Sequence, residues 1–156
     1  MSKQKVWLGI DPGKSGGVSW VNEDCSEYNC YYTPENISGM AELLKDLHLE
    51  YNIVRVTIEK IDCIPLISKS SMSVLSENCG QWQMAAVMLG IPLYHVKPKK
   101  WQNGYFGVKD KGVKRDTKKL SREHASQMFP NHSFKKKKDD GKSDSILICK
   151  YGKDNF

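Results

Sequence analysis

The stretch VWLGIDPGKSGGVSWV, residues 6–21, decides the fold. It opens with an apolar strand pattern over 6–10 and is stopped by Asp11-Pro12-Gly13. A second apolar run follows over 16–21, so the Gly-rich segment 11–16 reads as the tight loop of a β-hairpin. A third strand is predicted over 28–33, which extends the hairpin to a three-stranded meander. Pro34 and Asn36 lead into a helix over 37–49, with Ile37, Met40, Leu43, Leu44 and Leu47 at helical spacing. Residues 53–58 form a continuous β-branched run, suited to a buried parallel strand that ends at Glu59. A long Ser-rich connection containing Pro65 is predicted over 63–79, a helix over 80–89 and a short strand over 93–96. The polar, basic segment 103–116 reads as a mobile loop. Helices follow over 118–128 and from Asp140 to about 151, the last with Ile146, Leu147 and Cys149 as its apolar side. The order β-β-β-α-β-α-β-α-α predicts an α/β fold. Its mixed sheet has an antiparallel meander, then parallel strands, with flanking α-helices.

A chain of 156 residues is enough for one domain with a substantial core. No apolar run approaches the roughly 20 residues of a membrane span. The apolar start is cut short at Asp11 and does not read as a signal peptide. Five cysteines, Cys25, Cys30, Cys63, Cys79 and Cys149, show no CxxC pairing and no histidine at zinc spacing. They read as reduced thiols, which points to the cytoplasm.

The net charge is +6. The excess is concentrated between residues 97 and 138, where lysines at 97, 99, 100, 109, 111, 114, 118 and 119 join Arg115 and the run 135–138. A basic face of this kind attracts polyanions and releases their counterions on binding. Set against it are four acids spread along the chain: Asp11, Glu59, Asp140 and Asp144. Two close apolar strands and two lie one turn apart at the start of an apolar helix, where like charges repel. Acids at the margin of a core require neutralisation, and a divalent cation such as Mg²⁺ is a usual means. Capping of the last helix accounts for Asp139 or Asp140 but not for Asp144.

The segments GIDPGKSGG (9–17), IEK (58–60), VKPKKWQ (96–102), TKKLSREHASQMFP (117–130) and DDGKSDSILICKYG (139–152) together resemble RuvC-like Holliday junction resolvases, in particular the short phage and bacterial members. The resemblance spans nearly the whole chain, in the same motif order. It implies a ribonuclease-H-like fold over 1–156 as a single nuclease domain. Asp11, Glu59, Asp140 and Asp144 fall on the family's metal-binding acids, with Asp139 as the rival for the third position. The resemblance further implies two Mg²⁺ ions per site, replaceable by Mn²⁺, and hydrolysis leaving 5′ phosphate and 3′ hydroxyl. It places Lys118, or its neighbour Lys119, near the scissile phosphate.

The expected partner is branched DNA, bound by a homodimer whose two sites cut two strands. Lys69, Ser70 and Ser71 suit phosphate contact without base reading, as do Lys109, Lys111, Lys114, Arg115 and Lys119. Trp82, Met84, Val87 and Met88 read as a helix core or a dimer face, and Trp101 as packing beneath the basic loop. The expected location is the cytoplasm, that of a bacterial host if the gene is a phage's. Two alternatives remain open: a nuclease of flaps or forks, and a protein that clamps junctions without cutting. An actin-like sugar kinase shares the first turn but requires a longer chain.

Overall fold

The computed structural model describes residues 2–62 and 66–156. Cys63 and Pro65 of the predicted connection lie outside them. Strands β1 (Lys5–Asp11), β2 (Gly17–Asn22) and β3 (Tyr28–Tyr32) form the antiparallel meander. Helix α1 (Ile37–Glu50) then returns the chain to β4 (Asn52–Glu59), which pairs with β1 in parallel, and β5 (Leu93–Val96) pairs in parallel with β4. The sheet order is β3-β2-β1-β4-β5.

Alternation along the strands splits the core in two. Val6, Leu8, Ile10, Val56 and Ile58 point to one face, where they meet Met40, Leu44 and Leu47 of α1 and Trp82 and Ala86 of α2 (Lys69–Met88). The opposite face carries α3 (Pro98–Phe106), α4 (Thr117–Met128) and α5 (Asp140–Asn155), with Val96, Trp101, Ala125, Phe129 and the run Ile146, Leu147, Ile148, Cys149 in its core. The result is a three-layer α/β/α sandwich. Helix α5 runs along the middle of the sheet and is buried on nearly every side.

Two elements differ from the sequence reading. Helix α2 begins at Lys69, eleven residues before the predicted start, because Ser68 caps it by accepting from the Ser71 amide at 3.1 Å. Its first half is Ser-rich and exposed, so it carries no apolar stripe to announce a helix. Helix α3 occupies the first part of the predicted 103–116 loop. Pro98 sits at its first turn, where a missing N–H costs nothing, and the buried Trp101 anchors it despite Gly104. The loop proper is 107–116. Cys25, Cys30, Cys79 and Cys149 are free thiols, as read from their spacing.

Candidate active site

The acids converge at one end of the sheet, at the mouth between β1, β4 and the start of α5. Ile10 pairs with Ile58 in the parallel β1–β4 ladder, so the next residues, Asp11 and Glu59, end adjacent strands side by side. Strand parity aims both toward the α5 face. Ile10 and Ile58 fill the α1/α2 core, whereas Gly9 and Thr57, on the same side as Asp11 and Glu59, pack beneath α5. The turn after Asp11 is fixed from the other layer: Asn78 of α2, itself buried, accepts from the Gly13 amide at 2.8 Å.

Helix α5 reaches this place because small residues let backbone meet backbone. A Cβ on Gly17 would stand 2.6 Å from the Gly141 carbonyl oxygen, and one on Gly9 would stand 2.6 Å from Cys149 Cα. The Ser19 and Ser145 hydroxyls bond at 2.6 Å across the same contact. Gly141 separates Asp140 from the rest of the first turn, and Asp144 follows one turn later, buried.

The acids lie within one another's field. Burial, then Asp144 and Glu59, then Asp140, hold the Asp11 carboxyl well above the usual range, against Lys118. Burial and Asp144 push Glu59 up to about 7, although a bond from Trp101 and the Lys118 charge oppose the shift. Burial raises Asp144 as well, against Lys118. Lys118 of α4 stands with Nζ 3.3 Å from Asp144 Oδ2. Burial would lower its pKa, but Asp144 and Asp11 outweigh that and raise it. Arg122, one turn further along α4, is paired with Asp140.

Asp139 and Asp140 part company. Asp139 accepts from the Tyr32 hydroxyl at 2.7 Å and from the Lys136 amide at 3.1 Å, closing the 3-10 turn Lys137–Asp139. Its burial would raise its pKa, yet these two bonds bring it below the ordinary value. Asp140 instead pairs with Arg122 and helps to raise the Asp11 carboxyl. Lys119 pairs with Glu123 at 3.9 Å.

Three residues of this arrangement were missed by sequence reasoning. They are Asn78, Arg122, and Trp101 as a partner of Glu59, whose Oε2 accepts from Trp101 Nε1 at 2.6 Å. The predicted DNA contacts are spread around the acids. Ser70 and Ser71 line a cleft of about 490 Å³ with Gly13, Lys14 and Ser15, next to the turn that follows Asp11, and Lys69 is exposed beside it. Lys109, Lys111 and Lys114 are exposed on the 107–116 loop. Arg115 is half-buried and donates to the Gly107 carbonyl at 2.8 Å and to Asn103 Oδ1 at 3.3 Å, tying the loop to α3.

The donors are hard carboxylate oxygens, desolvated and mutually repelling, and this chemistry fits a hard divalent cation that retains water. Among the described residues, no three acids, histidines or cysteines stand close enough to hold an ion by themselves. The cations touching the acids are the chain's own, Lys118 and Arg122.

A mixed 3-2-1-4-5 sheet with helices on both faces and acids at the ends of its first and fourth strands defines a ribonuclease-H-like architecture. The fold is that of RuvC. RuvC from T. thermophilus in complex with Holliday junction substrate matches 92% of this chain and 90% of its own, at 16% identity and a TM-score of 0.67. The Thermus thermophilus RuvC structure matches 92% of both chains at 13% identity and a TM-score of 0.56. No family model and no curated protein sequence matches the chain.

Proposed function

We propose that residues 1–156 form a single nuclease domain, a structure-selective endonuclease that resolves four-way DNA junctions as a homodimer. The observation that carries this reading is the gathering of Asp11, Glu59, Asp140 and Asp144 with Lys118 at one sheet end. They lie on the fold of a protein whose solved complex holds a Holliday junction, in a chain whose surface is strongly basic.

Asp11, Glu59, Asp140 and Asp144 would hold Mg²⁺, two ions per site, with Mn²⁺ as a substitute. Bound there, the metal supplies an activated water and charge stabilisation at the leaving oxygen. The chain's own part is electrostatic and positional. Lys118 brings a cation to the place where phosphate charge grows, held ready by Asp144. Arg122 balances Asp140 until substrate and metal arrive. Lys69, Ser70 and Ser71 would meet phosphates on one side of the acids. Lys109, Lys111, Lys114, Arg115 and Lys119 would do so on the other.

For the homodimer, the outer face of α1 and α2 is the candidate interface. Ile37, Ala41, Met84, Ala85, Met88 and Leu89 line an apolar groove of about 690 Å³ there, and Met88 is 77% exposed. Apolar side chains gathered in this way mark an interaction surface. No helix among the described residues is long and apolar enough to cross a membrane. A cytoplasmic setting, in a bacterial host if phage-encoded, suits the proposed substrate.

The test is cleavage of synthetic four-way, fork, flap and linear DNA in Mg²⁺. Asp11→Asn should abolish cutting while junction binding persists. Native-rate cutting by that variant would remove the acids from the chemistry. Equal cutting of linear duplex would end junction selectivity, and binding without cutting by the native protein would favour the clamp. Met84→Glu with Met88→Glu should convert a sedimenting dimer to monomer, and an unchanged dimer places the interface elsewhere.

A further inference from the structure

The chain has four tryptophans, and three of them, Trp7, Trp20 and Trp82, bury their indole N–H without a hydrogen-bond partner among the described residues. The fourth, Trp101, is 1% exposed and donates to Glu59 Oε2 at 2.6 Å. The one indole with a partner is therefore spent on a carboxylate of the acid cluster. From this we infer that Trp101 is a positioning residue for Glu59. It fixes the carboxylate's rotation and commits one oxygen to the indole, leaving the other free for an ion. This inference rests on the proposed metal site.

The surroundings make Trp101 a rigid support. Glu59 pairs with Val96 at the end of the β4–β5 ladder, and the Lys60 amide bonds the Val96 carbonyl at 2.8 Å. Lys97 and Pro98 then start α3 at once, so Trp101 returns to Glu59 within the first turn and a half. The far end of the helix is held as well. Tyr105 donates to the Leu147 carbonyl of α5 at 3.0 Å, His124 Nε2 lies 3.0 Å from the Tyr105 carbonyl, and Arg115 clamps Gly107. Phe106 packs edge-on to the Trp101 ring at 6.0 Å. A donor held this firmly restricts its acceptor, which is the role that outer partners play around metal-binding carboxylates.

Trp101→Phe keeps an aromatic ring and removes the donor. Trp101→His keeps a ring N–H. Mn²⁺ affinity by calorimetry and steady-state cleavage of a four-way junction are measured for both variants, with thermal melting as the check on folding. Trp101→Phe should weaken Mn²⁺ binding and lower kcat by roughly 10- to 100-fold, with KM for the junction unchanged. Trp101→His should recover a clear part of both. Native Mn²⁺ affinity and kcat in Trp101→Phe, or equal defects in the two variants, would overturn the inference and leave the metal site standing. A native protein that binds no Mn²⁺ would overturn both. Should Trp101→Phe fail to fold, indole N–H resonances of the native protein decide. The resonance displaced by Glu59→Gln should broaden first at substoichiometric Mn²⁺, and earlier broadening of any other indole refutes the assignment.

Discussion

Gly17→Ala probes what holds the acids together without touching any of them. The new Cβ would stand 2.6 Å from the Gly141 carbonyl oxygen and 2.7 Å from its carbonyl carbon, whereas ordinary contact begins at 3.4 Å. Something must yield by 3.4 minus 2.6, or 0.8 Å, and both partners are backbone. Strand β2 is paired on both sides, Gly17 with Asp11 and with Tyr32, so α5 is the element that moves. Its first two turns carry Asp140 and Asp144 away from Asp11. Overpacking of this kind costs about 1–3 kcal/mol. For a chain of this size that is a fall in Tm of roughly 2–12 °C. Displacement of reacting groups by about 1 Å can cost on the order of 100-fold in rate, so kcat should fall by about that factor while junction affinity holds. The assays are thermal melting and single-turnover junction cleavage. Gly80→Ala serves as the opposite case. A Cβ there meets nothing within 4 Å in the middle of α2, and the substitution should stabilise the fold by about 0.5–1 kcal/mol. Native Tm and native cleavage in Gly17→Ala would show that the α5 contact does not set the acid geometry.

The metal-free protein should lose stability as pH rises from about 4.5 to about 7. Glu59 holds its proton to about 7 when folded, while its ordinary value is 4.5, so the folded state binds more protons across that window. Asp11 and Asp144 act with the same sign. Melting in chelator against pH should show this slope, and Mg²⁺ should flatten it; stability that rises over the window would refute the burial argument. Reversing Lys109, Lys111 and Lys114 to Glu should weaken junction binding at every sequence and reduce the salt slope by up to about 3. Binding titrations over a range of salt that match the native protein would remove the 107–116 loop from the DNA interface.

Much of this architecture was legible because local chemistry and global fold agree. Asp11-Pro12-Gly13 can only end a strand and turn. The β-branched run before Glu59 suits the buried parallel strand it forms. Helix α3 was hidden because its sequence, PKKWQNGYF, is polar with an internal Gly. Its stability comes from Trp101 and Tyr105, one turn apart, reaching a core contributed by other segments. The N-terminal half of α2 was hidden for a related reason, since a Ser-capped exposed helix needs no apolar stripe. The four acids could be picked out one by one, but their supports could not. Asn78 acts on Gly13 across 65 positions, Trp101 on Glu59 across 42, and Arg122 on Asp140 across 18. Such pairings leave no periodic trace. The available hint was a tryptophan among lysines, whose indole N–H can donate when the ring is buried.

The same geometry explains why the acids require small neighbours. Asp144 raises the pKa of both Asp11 and Glu59, and Glu59 and Asp140 raise that of Asp11, so bringing the carboxylates together opposes folding. That repulsion is overcome from two sides. Burial of α5 along the whole sheet, with glycine against glycine at its start, supplies the force that presses Asp140 and Asp144 toward Asp11. Lys118 and Arg122, one turn apart on α4, supply the opposite charge. These two cations belong to the same helix, which is fixed through Ala125 and Phe129 in the α5 core, so both counter-charges arrive as a rigid pair. A divalent ion offers the acids more charge at shorter range than either side chain. Its entry would relieve the repulsion and free Lys118 for the phosphate, so the interaction that makes the metal-free fold tolerable also keeps the proposed catalytic lysine at the site before substrate arrives.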